Sequence, residues 1–305
     1  MSKTIRIGTR DSELALWQAH TVEKKLNDLG VKSEIVAVKS TGDLILDKPL
    51  YELGITGIFT KTLDVAMLSG QVDIAVHSMK DVPTALPKGI VQAAVLERAS
   101  ENDLLVYKHD LDFFTKEATI ATGSLRRQAQ WLHRYPHHKV VDLRGNVNTR
   151  LQKLADNSWE GAIFASAGLD RIGKKPQKFI SLDWMIPAPA QGAMVVVALA
   201  QDNYSREAVA RINHFETEIC TRVERDFLRT LEGGCTAPIG AFAKIYNNEI
   251  RLEGAVFSLD GKQKAAIEKS CPTTHYAAFG AECAKELLSR GADQIMAQIR
   301  KDLAR

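Results

Sequence analysis

Apolar residues fall at helical spacing from Ala15 through Ala19, Val22, Leu26 and Leu29, and Gly30 stops the run. A short strand, Ile5–Gly8, precedes this helix, and a second, Glu34–Val38, follows it. Phe59 to Leu68 again reads as helix, ended by Gly70. Next comes Val72–His77, a nearly continuous apolar run of the sort that marks a strand buried on both faces. From about residue 100 the alternation repeats. Leu104–Tyr107, Thr119–Thr122, Val140–Leu143 and Ala162–Ala165 read as strands, with helices starting near Leu125 and Val147. This predicts two α/β units with parallel or mixed sheets and a ligand crevice at the carboxyl ends of the strands.

After that the pattern changes. Met185–Gly192, rich in proline and small residues, reads as a rigid connector, and Met194–Leu199 as another buried strand. A helix with a stripe at Ile219, Val223 and Phe227 covers Glu216–Leu231. Ile239–Ile245, Ile250–Phe257 and Lys264–Lys269 predict an antiparallel sheet with turns at Asn247-Asn248 and Asp260-Gly261. Phe279, Cys283 and Leu287 mark a final helix, so the third unit is α+β.

With 305 residues the chain has room for two or three such domains. A net charge of +3 is too small for a whole-surface nucleic-acid footprint, so any work done by positive charge depends on where the arginines sit. The longest apolar stretch, Ala193 to Ala200, is far shorter than the ~20 residues of a membrane helix. MSKTIRIGTR lacks the apolar core of an export signal, which points to the cytoplasm and reduced thiols. The cysteines, Cys220, Cys235, Cys271 and Cys283, form no CxxC pair, and no metal-ligand spacing occurs, so no metal is expected.

Three features carry chemistry. Arg10, Arg126, Arg127, Arg144, Arg150 and Arg171 all follow predicted strands, where helix N-termini attract anions and guanidinium forks bind carboxylate or phosphate. Their recurrence predicts a polyanionic ligand, and the absence of a P-loop or GxGxxG fingerprint argues against a nucleotide. His77-Ser-Met-Lys-Asp-Val-Pro83 ends a buried strand with Ser78, Lys80 and Asp81 in a loop, either a polar turn capped by Asp81 or an acid poised at the crevice. Cys235 sits in Leu231-Glu-Gly-Gly-Cys, where two glycines clear space beside a sulfur. A tight turn with an incidental thiol and a nucleophile or covalent anchor fit that stretch equally. Cys220, Cys271 and Cys283 read as packing or surface thiols.

Together HSMKDVP at 77–83, GSLRRQ at 123–128, LRGNVNTR at 143–150 and LEGGC at 231–235 resemble the porphobilinogen deaminase (hydroxymethylbilane synthase) family in order and spacing, over essentially the whole chain. The resemblance implies two domains like type II periplasmic binding proteins and a smaller C-terminal α+β domain. The expected boundaries are 1–97 with 193–213, 98–192 and 216–305. It implies a transferase that adds four porphobilinogen units, with loss of ammonia, to a dipyrromethane primer, then releases the linear tetrapyrrole by hydrolysis. Cys235 corresponds to the thioether anchor of that cofactor, and Asp81 to the catalytic carboxylate. Lys80, Ser78, Ser124, Arg126, Arg127, Arg144 and Asn146 correspond to cofactor contacts; Arg10, Arg144, Arg150, Arg171 and Phe59 to substrate contacts. The family is typically monomeric, and hinge motion between domains is expected as the chain lengthens.

The chain departs from the family pattern at two places. Thr56 stands where a lid lysine is usual, and Ala190-Gln191-Gly192 replaces Gly-Gln-Gly, read as a backbone adjustment. The rival readings are a non-enzymatic polyanion-binding protein of the same two-lobed architecture, a nucleic-acid binder and a thiol acyl enzyme.

Overall fold

The structure is a computed structural model and describes residues 3–39, 60–232 and 237–303. The chain runs β1 (Ile5–Thr9), α1 (Glu13–Asp28), β2 (Ser33–Ala37), α2 (Lys61–Leu68), β3 (Ile74–Ser78), β4 (Ile90–Val95) and β5 (Asp103–Tyr107). It continues through β6 (Thr119–Ala121), α3 (Leu125–Arg134), β7 (Lys139–Val141), α4 (Val147–Asp156), β8 (Gly161–Ala165), α5 (Ser166–Arg171) and β9 (Phe179–Ser181). Then come β10 (Met194–Leu199), α6 (Asn203–Ala210), α7 (Phe215–Thr230), β11 (Ile239–Tyr246), β12 (Glu249–Phe257), β13 (Lys264–Pro272), α8 (Tyr276–Leu287) and α9 (Asp293–Leu303).

Three sheets result. The first has the order β2-β1-β3-β10-β4, the second β7-β6-β8-β5-β9 and the third β11-β12-β13. The two larger sheets are mixed: β1 is parallel to β2 and β3, whereas β10 is antiparallel to β3 and β4. The apolar run of β10 has a simple cause. Met194, Val196 and Ala198 pack into one core of the first sheet, and Val195 and Val197 into the core on its other face. Each Met or Val side chain so removed from water contributes roughly 1.5–3 kcal/mol, which is why both faces must be covered.

The third sheet is a meander. Asn247 and Asn248, with φ of 49° and 61°, turn β11 into β12 as the paired Asn predicted. Phe227 of α7 and Phe279, Cys283 and Leu287 of α8 fill its core. The connector expected at Met185–Gly192 is held on two sides. The Ile186 carbonyl accepts from Arg126 and Gln130, and the Pro187 carbonyl accepts from the Ala241 N–H of the third sheet.

Several elements were not anticipated. Strands β4 and β9 and helices α6 and α9 carry weak or short patterns, and β3 begins at Ile74 rather than Val72. Asp73 just before it accepts from the backbone and guanidinium of Arg6 instead of extending the strand.

Candidate active site

A cleft of about 270 Å³ opens between the first two sheets. Ser78, Lys80 and Asp81 reach it from the end of β3 and the 3-10 turn Met79–Asp81, and Arg10 from the β1–α1 loop. Ser124, Arg126 and Arg127 reach it from the start of α3, Arg144, Asn146 and Arg150 from around the start of α4, and Arg171 from the end of α5. The sequence-predicted residues within the described range therefore converge on one cavity. Phe59, Thr56 and Cys235 lie outside the described residues.

Local sequence explains the wall. Ser12, Ser124 and Asn146 are N-caps whose side-chain oxygens accept from the N–H groups of Ala15, Arg127 and Thr149 at 3.4, 3.5 and 3.0 Å. All three capping residues line the cleft, so three helix N-termini direct partial positive charge into it. Gly145, just before the α4 cap, has φ 115°, and a Cβ there would meet Thr149 at 2.7 Å; only glycine turns the chain so tightly into the helix.

Behind the arginine wall lies a buried carboxylate outside the sequence-predicted set. Asp103, fully buried at the start of β5, accepts from Arg126 Nη1 at 2.7 Å, Arg127 Nε at 2.9 Å and Gln191 Nε2 at 3.0 Å. Burial disfavours its charge, yet the Arg126 and Arg127 guanidiniums overcome this and hold its carboxyl well below the usual range. Gln191 also accepts from Lys80 Nζ at 3.1 Å. Lys80 lies deep in the cleft while keeping part of its surface open to it. Burial, then repulsion from Arg127, brings its ammonium down to about 8 against the attraction of Asp81 and Asp103. Arg150 and Arg171 are likewise drawn down, each to about 10 and chiefly by burial. Arg150 Nε donates to the Gly145 carbonyl at 2.7 Å and Arg171 Nη2 to the Gly192 carbonyl at 2.7 Å. Such guanidiniums stay charged at neutral pH but are poorly hydrated, which strengthens their attraction for an anion.

Two expectations change. Arg171 ends α5 rather than opening a helix, so its place owes nothing to a helix N-terminus. Arg126 and Arg127 are buried and direct donors inward to Asp103, Ile186 O and Ile163 O as well as lining the cleft. The departure at Ala190 is a backbone matter: φ is 63°, where glycine would be at ease, and its N–H donates to Glu224 at 2.6 Å.

Residues the sequence reading missed are Asp103, Gln191 and Gln18, whose amide donates to Ser78 Oγ at 2.8 Å. The signals were faint. Gln18 is a buried polar residue beside the stripe of α1, and Asp103 is a lone acid opening an apolar strand. Cys220 and Cys283 are core thiols, pushed up by burial to about 12 and about 11, and Cys271 is half-buried. Among the described residues no cluster of His, Cys, Asp or Glu could hold a metal ion, and no helix is long and apolar enough to cross a membrane.

Comparison with known proteins completes the picture. An ancestral cationic amino acid solute binding protein superposes with a TM-score of 0.45 at 16% identity, over 68% of this chain and 87% of its own. Residues 5–207 match the porphobilinogen deaminase, dipyromethane cofactor binding domain, and residues 218–289 the porphobilinogen deaminase C-terminal domain. The porphobilinogen deaminase of Chloroherpeton thalassium is 40% identical over 314 residues, covering 100% of both chains. That of Pelotomaculum thermopropionicum is 42% identical over 308 residues, covering 99% of each. Matched along its whole length by relatives of one kind, the chain belongs to the porphobilinogen deaminase family, transferases of tetrapyrrole biosynthesis.

Proposed function

We propose that the cleft is where this transferase lengthens its polypyrrole chain, with Asp81 as the catalytic carboxylate and Cys235 as the covalent anchor of the dipyrromethane. The donor set fits that cofactor. Lys80, Arg126, Arg127 and Arg144, with Ser124 and Asn146, line the wall, and a dipyrromethane offers them carboxylates. When bound, the dipyrromethane supplies the free pyrrole carbon to which the first porphobilinogen is joined, each later unit joining the ring added before it.

The chain's own residues do the rest. Arg10, Arg150 and Arg171, with Arg144, bind the acetate and propionate of the incoming unit, with Phe59 as a further substrate contact. Poor hydration of the Arg150 and Arg171 guanidiniums favours such pairs over contact with water. The Asp81 carboxylate accepts hydrogen bonds from pyrrole N–H groups and balances the positive charge that develops on the substrate as ammonia leaves. It then takes up and returns the proton exchanged when rings couple. The convergence of Asp81 with guanidiniums from two sheets on one cleft carries this reading. It disfavours a passive polyanion-binding protein, which needs no carboxylate among its cations.

On this reading the working units are residues 1–97 with 193–213, 98–192 and 216–305, supported by the three sheets, in a monomeric cytoplasmic enzyme without nucleic-acid or membrane partners. Two measurements test it. Asp81→Asn should keep the fold and lose most ammonia release; a parental rate would remove Asp81 from the chemistry. The intact mass of the purified enzyme should exceed the bare chain by two pyrrole units, and Cys235→Ala should weigh as the bare chain.

A further inference from the structure

Arg225, on α7, sends its guanidinium out of the third unit to the turn that carries Asp81. Nη1 donates to the Met79 carbonyl at 3.2 Å and the Val82 carbonyl at 2.9 Å, and Nη2 donates to the Pro83 carbonyl at 2.6 Å. The accepting carbonyls lie on both sides of Asp81. The turn has few ladder bonds: Met79 N–H donates to the Ala193 carbonyl at 3.0 Å and Val82 N–H to the Met79 carbonyl at 3.2 Å.

The helix beneath this fork is fixed. Glu224, the preceding residue, is fully buried and accepts from both terminal nitrogens of Arg98 at 2.6 and 3.0 Å. It also accepts from the Ala190 N–H at 2.6 Å and the Ala243 N–H at 2.8 Å. One carboxylate thus ties α7 to both crossings between the large sheets and to β11. The same helix ends at Thr230, and Leu231, nearly fully buried, begins the segment that leads to Cys235.

We propose that Arg225 is a positioning residue: its planar fork holds the Met79–Pro83 turn so that Asp81 meets the reacting pyrrole. This rests on the reading of Asp81 as the catalytic carboxylate. Arginine suits the task because two coplanar nitrogens address three carbonyls at once, whereas a lysine ammonium is a single point of contact. A carboxylate displaced by about 1 Å from its productive position loses up to about 100-fold in rate.

The test is a double-mutant cycle on cofactor-loaded enzyme, with kcat expressed per molecule that carries the cofactor by intact mass. Arg225→Gln should lower kcat by about 10–100-fold with KM for porphobilinogen changed less than about threefold, and Arg225→Lys should recover part of the loss. In an Asp81→Asn background Arg225→Gln should cost no more than about twofold, because Arg225 acts only through Asp81. A parental kcat for Arg225→Gln, or an equal loss in both backgrounds, overturns the proposal. If Arg225→Gln does not load or fold, Arg225→Lys carries the same comparison, and full parental kcat there overturns it. A parental rate for Asp81→Asn alone would instead remove the assignment of Asp81 on which the proposal rests.

Discussion

Lys80 and Asp103 belong to different sheets yet meet through the two ends of one amide. Lys80 Nζ donates to Gln191 Oε1 at 3.1 Å, and Gln191 Nε2 donates to Asp103 Oδ1 at 3.0 Å. Gln191 stands on the crossing segment between the sheets, so one side chain sets the distance between a cation of the first wall and the buried counter-ion of the second. The Asp81 turn and the arginine wall are therefore held in register before any carboxylate enters.

Among the described residues, the ion pairs of Arg126 and Arg127 run to Asp103. Asp103→Asn leaves Arg126 and Arg127 buried beside a neutral amide, and removing one partner of a buried pair typically costs about 3–5 kcal/mol. Urea unfolding of the cofactor-loaded protein should show a loss of that size. A change under about 1 kcal/mol would mean that the guanidiniums reach solvent or another acid.

Lys80 sets an alkaline limit. Its ammonium, drawn down to about 8, loses its proton as pH rises through that value. If the cation holds a carboxylate, kcat/KM should fall above pH 8. Lys80→Arg keeps its charge and should move the limb upward. Asp103→Asn, which removes one of the attractions that support the charge, should move it downward. A limb that stays put in both variants belongs to another group.

His77 opposes acid. It is almost fully buried on β3 and its Nε2 has no hydrogen-bond partner among the described residues. Burial, aided by the nearby Arg10 charge, pulls it from 6.5 to about 4. As pH falls below 6.5 the unfolded chain takes up a proton that the folded chain refuses until about 4. Stability is thus full above 6.5 and declines across that window, by up to about 3 kcal/mol. His138, also lowered by burial, adds in the same direction. His77→Gln should flatten the dependence of unfolding free energy on pH between 6.5 and 5 without abolishing it. An unchanged slope would assign the effect elsewhere.

Gly280 lets α8 lie against α7. A Cβ there would come within 2.1 Å of the Val223 carbonyl, which belongs to the helix backbone and cannot yield as a side chain can. Gly280→Ala should destabilise the protein by about 1–3 kcal/mol or more, read as a lowered thermal midpoint. An unchanged midpoint would mean that the two helices part at little cost.

Much of the fold was legible because its signals are local. A strand buried on both faces must be apolar throughout, and β3 and β10 announce themselves in that way. Paired asparagines tolerate left-handed backbone, so the β11–β12 hairpin is written in two residues. Edge strand β9 is only three residues long, and β4, at the edge of the other large sheet, buries only three of its six residues without alternation, so neither pattern stands out. The wall of the cleft was legible for the same reason: apart from Arg171, which ends α5, its arginines lie just after strands or in the first turn of the next helix, and Ser124 and Asn146 cap two of those helices.

By itself, then, the sequence determined most of the strands and helices, the hairpin and the order in which most of the cationic side chains follow strand ends, because spacing, capping and backbone preference act over a few residues. Tertiary structure alone decided that β10 enters the first sheet between β3 and β4, that Asp103 pairs with Arg126 and Arg127, and that Arg225 reaches the Asp81 turn. Those partners lie far apart along the chain, and only the packing of the three sheets brings them within hydrogen-bond distance and removes the water that would otherwise compete.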